Sequence, residues 1–261
     1  AATTRRAARS HAAANRLPFS ANQPYGDHPR MVLELVPPSI PLPGGSPVVL
    51  FIHGGYWQAG TKEDFRFLAE PFVSAGALFV NVEYALAPEL RVTEIVQQVR
   101  QAVLWCLAHI SEYGGDPARL HVCGHSAGGH LTAELVCTDW ESLGAPSNTV
   151  RGGCALSGLF DLEPIGLCYL NEVLKLNEEE ARACSPLQHL PKQGPPLICA
   201  VGGSETEEFL RQNREMAAAW NARSFPIEEL VVPDANHLTI LESFADPGGT
   251  LLSTFLRQIN A

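Results

Sequence analysis

Arg119-Leu-His-Val-Cys-Gly-His-Ser-Ala-Gly-Gly-His-Leu131 opens as a short apolar strand, with Leu120, Val122 and Cys123 as its body. It passes through Gly124-His125-Ser126-Ala127-Gly128 and continues as an Ala/Leu-rich helical pattern. A serine centred in G-x-S-x-G between a strand and a helix has the form of a nucleophile elbow, a strained turn that lifts the hydroxyl above the sheet. Glycine at 124 and 128 removes the side chains that would block so tight a turn. Ser126 is therefore the expected nucleophile.

The elbow needs a sheet around it, and the flanking chain supplies the pattern of one. Pro47–His53 is a continuous apolar run, the kind buried on both faces of a parallel sheet. Further strands are expected at Leu78–Tyr84, Gly152–Leu159, Pro196–Val201 and Ile227–Val232, with Met31–Val36 at an edge. Helical periods fall between them. One runs from Thr61, a candidate cap, to Ser74, another over Val92–Tyr113 until Gly114-Gly115 stops it, and others over Ala127–Cys137, Glu205–Ala222 and Gly248–Ile259. Alternating strands and helices predict an α/β fold with a mostly parallel central sheet and helices on both faces.

Length fits this expectation, because 261 residues suit one α/β domain of the roughly 250 residues such folds reach without splitting. Residues 1–30 read as an N-terminal arm, helix-prone over Ala1–Ala14, although the Arg- and Ala-rich, acid-free opening shares its composition with a transit peptide. Glu163–Leu190, between two strands, reads as an inserted cap segment. The net charge of −10, with no basic run after residue 16, argues against a nucleic-acid surface. No apolar run approaches the roughly 18 residues of a membrane span. The seven cysteines (106, 123, 137, 154, 168, 184, 199) lack metal-site spacing and sit in apolar runs, as reduced core residues of a cytoplasmic protein do.

A serine nucleophile needs three further functions around it. An oxyanion hole is expected from His53-Gly54-Gly55-Tyr56-Trp57, directly after the Val48–Ile52 strand, with the amides of Gly54 or Gly55 and of Ala127 as donors. A base is expected after the last strand, where His237 stands four residues beyond Pro233. The acid is expected after the penultimate strand at Glu205, with Asp161 as its rival and Glu207 and Glu208 behind. Asp234 lies too close in sequence to His237 to serve. Tyr56 and Trp57 are candidates for lining the acyl side of the pocket. His125 and His130 flank the elbow without a carboxylate or cysteine at ligand spacing, so no metal is expected.

With HGGYW (His53–Trp57), GHSAGGH (Gly124–His130), SGLFDLEPI (Ser157–Ile165), VGGSETEEF (Val201–Phe209) and DANHLTILES (Asp234–Ser243) in view, the chain resembles the arylformamidase, or kynurenine formamidase, family of α/β hydrolases. The resemblance covers about residues 25–260, and EYALAPE (Glu83–Glu89) is similar to the related hormone-sensitive-lipase-like esterases. It implies an α/β-hydrolase fold, a triad at Ser126, Glu205 and His237, and an oxyanion loop at Gly54 and Gly55. It also implies a small acyl amide or ester as substrate and no cofactor; oligomeric state, a homodimer included, is left open by the sequence. The family's acid is often aspartate where Glu205 stands, and the family's N-terminal segment reads as shortened or missing here.

Overall fold

The computed structural model describes residues 2–261; Ala1, the first residue of the expected N-terminal helix, lies outside them. Eight strands form one sheet: β1 (Gln23–Pro24), β2 (Val32–Val36), β3 (Ser46–Ile52), β4 (Leu78–Val82), β5 (Gly115–His125), β6 (Gly152–Leu156), β7 (Leu197–Gly202) and β8 (Ile227–Val232). Their spatial order is β1-β2-β4-β3-β5-β6-β7-β8. The β1–β2 and β2–β4 pairs are antiparallel and every other pair is parallel. The helices are α1 (Ala2–Arg16), α2 (Ala69–Ser74), α3 (Val92–His109), α4 (Ala127–Cys137), α5 (Glu163–Gly166), α6 (Asn171–Leu174), α7 (Glu178–Ala183), α8 (Glu207–Ala222), α9 (Ile240–Phe244) and α10 (Thr250–Ile259).

Strand periodicity divides the core into two layers. Every residue of β3 is buried. Its Val48, Leu50 and Ile52 join the cluster under α3, α4 and α8, where Val99, Leu131 and Trp220 pack. Val49 and Phe51 point the other way, into a cluster with Phe72 of α2, Phe244 of α9 and Phe255 of α10. A fully buried side chain of this size contributes about 1.5–3 kcal/mol, so a continuous apolar strand is stable only with helices on both of its faces. The expected α/β sheet is observed.

Several boundaries move for identifiable reasons. β2 is not the sheet edge, because the two-residue β1 pairs outside it. The segment after Thr61 begins as a 3-10 helix (Lys62–Leu68) before α2, and the Thr61 side chain caps nothing. The 152–159 strand stops at Leu156 because Ser157 turns to φ 48°. α8 starts at Glu207, leaving Glu205 in the preceding turn, and α9 is an additional helix.

The N-terminal helix buries Ala13 in the second cluster and packs along its flanks through arginines. Arg6 sits over the Phe65 ring at 4.6 Å and Arg9 over Phe67 at 4.5 Å, while Arg5 pairs with Glu242 at 3.4 Å and Arg16 with Glu70. All seven cysteines are free; six are buried and Cys168 is partly exposed. Burial pushes the Cys106 and Cys184 thiols up to about 12, which leaves them protonated. Among the described residues no helix is long and apolar enough to cross a membrane, and no group of three or more His, Cys, Asp or Glu is placed to hold a metal.

Candidate active site

The parallel strands deliver their C-terminal ends to one edge of the sheet, where α/β folds place ligands. In register, Ile52 of β3 lies beside Gly124 of β5, His125 beside Leu156 of β6, and Gly202 of β7 beside Val232 of β8. The segments leaving those ends carry His53–Trp57, Ser126, Ser157, Glu205 and His237.

The elbow is built by close backbone approach. Ser126 sits at φ 59°, ψ −119°, an uncommon conformation for a non-glycine residue. Its amide continues the ladder to Leu156 O at 2.8 Å, and its carbonyl accepts the His130 amide at 3.0 Å, starting α4. A Cβ on Gly128 would stand 2.0 Å from Ile52 O, which is why only glycine fits there. Ser126 itself is 3% exposed.

From Ser126 a hydrogen-bond chain runs inward. Ser126 Oγ donates to His237 Nε2 at 2.9 Å, and His237 Nδ1 donates to Glu205 Oε2 at 2.6 Å. An ionised carboxylate only accepts, so it selects the tautomer that leaves Nε2 free to take the serine proton. The Glu205 side chain is fully buried, and its second oxygen accepts from Ser157 Oγ at 2.5 Å and from the Gly202 amide at 2.8 Å. The His237 ring packs on Phe209 at 4.4 Å and beside His125 at 4.6 Å. His125 Nε2 donates to the His237 carbonyl at 2.6 Å, and burial holds its imidazole well below the ordinary value, hence neutral.

The rival acids have other partners. Asp161 lies 3.6 Å from Arg211 and accepts from the Glu163 amide, and Glu208 is held by Arg211 and Gln212, which lowers its pKa. Asp234 stands in the turn after β8 at φ 58° and Glu207 opens α8. Among the described residues none of these four bonds His237.

The Gly54–Trp57 loop lies directly against the elbow. A Cβ on Gly54 would meet His125 O at 2.6 Å and Ser126 Cβ at 3.0 Å, so the missing side chain lets the two turns touch. Among the described residues the backbone hydrogen bonds of the turns and loops include none donated by the Gly54, Gly55 or Ala127 amides. Beyond Gly55, Tyr56 and Trp57 both have left-handed backbones, φ 50° and 58°. Such residues cost roughly 1–3 kcal/mol each and persist only when their surroundings over-determine them. Several contacts do so. The Trp57 carbonyl accepts from the Ala87 amide at 2.8 Å, Tyr84 Oη donates to His53 O at 2.8 Å, and His53 Nε2 lies 3.2 Å from Glu83 Oε1. Arg30 donates to Gly60 O at 2.8 Å and pairs with Glu83.

The two aromatic residues of this loop part company. Tyr56 is half-buried, and burial raises its phenol, with Tyr169, Cys168 and Glu205 adding to the shift. Trp57, expected at the pocket wall, is instead completely buried in the core, because its indole N–H finds a partner in His130. Sequence reasoning missed Ser157, His125, Phe209 and Glu83 as supports of the site. Ser157 and His125 lay inside quoted motifs, but nothing local marked their partners.

Fold and strand-end geometry define an α/β hydrolase, and comparison with known proteins gives the same class. Residues 39–144 match the BD-FAE family. A solved protein from Silicibacter sp. TM1040, described provisionally as a thioesterase, superposes with a TM-score of 0.83 at 30% identity, over 99% of this chain and 92% of its own. Esterase B from Lactobacillus rhamnosis shares the fold, with a TM-score of 0.79 at 19% identity over 98% and 91% of the two chains. The kynurenine formamidase of Danio rerio is 34% identical over 241 residues, covering 90% of this chain and 80% of that relative. The chain belongs to the kynurenine formamidase family.

Proposed function

We propose that the protein hydrolyses a small acyl amide through Ser126, His237 and Glu205, with N-formylkynurenine as substrate and kynurenine and formate as products. The hydrogen-bond chain Ser126–His237–Glu205, with Gly54 pressed against the elbow, carries the reading. Ser126 Oγ attacks the formyl carbonyl while His237 Nε2 takes its proton. The oxyanion rests on the amides of Ala127 and of Gly54 or Gly55. His237 then gives the proton to the arylamine nitrogen, the C–N bond breaks, and a formyl-serine remains. Water, deprotonated by His237, attacks that ester and releases formate. Glu205 keeps the imidazole oriented and stabilises its charged form, and Tyr56 offers the aryl group a flat, half-buried face. In this reading the whole chain is one hydrolase domain, residues 1–30 are its arm, and 163–190 its cap.

The substrate rests on the similarity to the Danio rerio enzyme. The test is formate release from N-formylkynurenine set beside turnover of p-nitrophenyl esters and acyl-CoA, with Ser126→Ala as control. Turnover of esters or thioesters without the formamide would replace the substrate but keep the mechanism. That second reading, a carboxylesterase or thioesterase, draws on the similarity to the Silicibacter protein.

A further inference from the structure

His130, one turn along α4 from Ser126, is completely buried, as is Trp57. Trp57 Nε1 donates to His130 Nδ1 at 3.2 Å, and His130 Nε2 lies 2.8 Å from the Cys184 carbonyl oxygen. An indole N–H only donates and a carbonyl only accepts, so the two partners together allow a single form of the ring: neutral, with the proton on Nε2. The rings meet edge to face, centroids 5.0 Å apart at 85°. One imidazole thus touches three separate parts of the chain: the strained loop at Trp57, the helix behind the nucleophile, and the 163–190 segment at Cys184.

We infer that His130 is a positioning residue of the acyl-transfer site, holding Trp57 and thereby the oxyanion loop in register with Ser126, while tying both to the cap. The inference rests on the proposed role of Gly54–Gly55 as oxyanion loop. Two consecutive bulky residues at positive φ relax unless something fixes them. The Trp57 side chain's only polar group is its N–H, and His130 is what receives it. Loss of that bond frees the Tyr56–Trp57 turn and misplaces the Gly54 and Gly55 amides relative to the developing oxyanion. Loss of the Cys184 bond frees the cap but leaves the loop held.

Two substitutions separate the bonds. His130→Gln puts an amide N–H where Nε2 was, keeping Cys184 and losing Trp57; His130→Asn puts an oxygen where Nδ1 was, keeping Trp57 and losing Cys184. With p-nitrophenyl acetate, or N-formylkynurenine if the wild type prefers it, His130→Gln and Trp57→Phe should each lower kcat roughly 10- to 100-fold with KM little changed, a fraction of the loss caused by deleting a whole oxyanion donor. Their double variant should be no worse than either single one, and His130→Asn should recover most of kcat. Affinity for benzeneboronic acid, whose serine adduct places an oxygen anion in the hole, should fall in parallel with kcat. Equal losses of thermal stability in all three variants with kcat and boronate affinity unchanged would overturn the inference. If His130→Gln does not fold, Trp57→Phe against His130→Asn decides the same question: a kcat loss confined to Trp57→Phe supports it and normal kcat in both defeats it. Ser126→Ala retaining activity would defeat the acyl-transfer reading and the inference with it, whereas an inactive Ser126→Ala beside a normal Trp57→Phe defeats the inference alone.

Discussion

The elbow and the Gly54–Trp57 loop touch each other at one edge of the sheet, yet they are held in opposite ways. The elbow is fixed by backbone against backbone, with Gly128 pressed on the Ile52 carbonyl and a single strained residue, Ser126, at its apex. The loop carries two bulky strained residues and is braced by side chains from distant parts of the chain: Glu83, Tyr84, Arg30 and His130. Backbone fit tolerates no added atom but depends on no partner. Side-chain bracing can be weakened in steps, which makes the loop the adjustable half of the site.

The largest effect expected on the elbow side is chemical. Ser126→Ala should lower kcat by roughly 10⁴- to 10⁶-fold without unfolding the protein, since the turn is made by the backbone. Circular dichroism and turnover, measured together, check both halves of that statement. Gly128→Ala should cost about 4–5 kcal/mol or prevent folding, because its Cβ meets backbone that cannot yield; urea unfolding that differs little from wild type would break the contrast.

An intermediate effect comes from acid. His121, on the elbow strand, is buried, and burial pulls its pKa from 6.5 to about 4, with Arg119 and Arg151 repelling added charge. The unfolded chain takes that proton near pH 6.5 and the folded chain only near 4. Stability is therefore full above about pH 6.5 and drains away toward pH 4, by up to about 3 kcal/mol at ~1.4 kcal/mol per unit. His125 and His130, also held below their ordinary value by burial, act in the same direction; Glu134, facing His130, opposes the shift there and His189 adds to it. Denaturation midpoints at neutral and acid pH test this, and His121→Asn should flatten the slope.

The smallest effect belongs to the loop. Glu83→Gln weakens the brace to His53, to Arg30 and to the Lys62 amide, which donates to Glu83 at 2.9 Å, and should cost about 1–3 kcal/mol. If the loop is the adjustable half, kcat falls more than KM rises. A change of stability with no change of kcat would show the brace to be structural alone.

The elbow was legible because its information is local: glycines two residues either side of a serine, an apolar strand before and a helical period after. Ala127–Cys137 and Ile227–Val232 were bounded correctly for the same reason. The meeting of Glu205 with His237 follows from strand order, because the parallel arrangement brings successive strand ends to one edge. What stayed hidden is information that lives in pairs distant along the chain. Ser157 meets Glu205 across 48 positions, and Trp57 meets His130 across 73. Neither pair leaves a periodic trace, so an aromatic residue beside a glycine loop looked like pocket lining when it was core. The five-residue α9 and the two-residue β1 are too short to show a period.

Charge is segregated along this molecule. α1 holds Arg5, Arg6, Arg9 and Arg16 and no acid, on a chain whose net charge is −10. Its cation–aromatic and ion-pair contacts are partly solvent-facing, so added electrolyte screens the ion pairs over a length that shrinks from about 10 Å at 0.1 M to about 3 Å at 1 M. Salts such as sulfate meanwhile reinforce apolar burial between sheet and helices. The N-terminal seam and the body therefore respond to brine with opposite signs, and a halophilic relative of this chain would have to fasten its first helix by grease rather than by arginine.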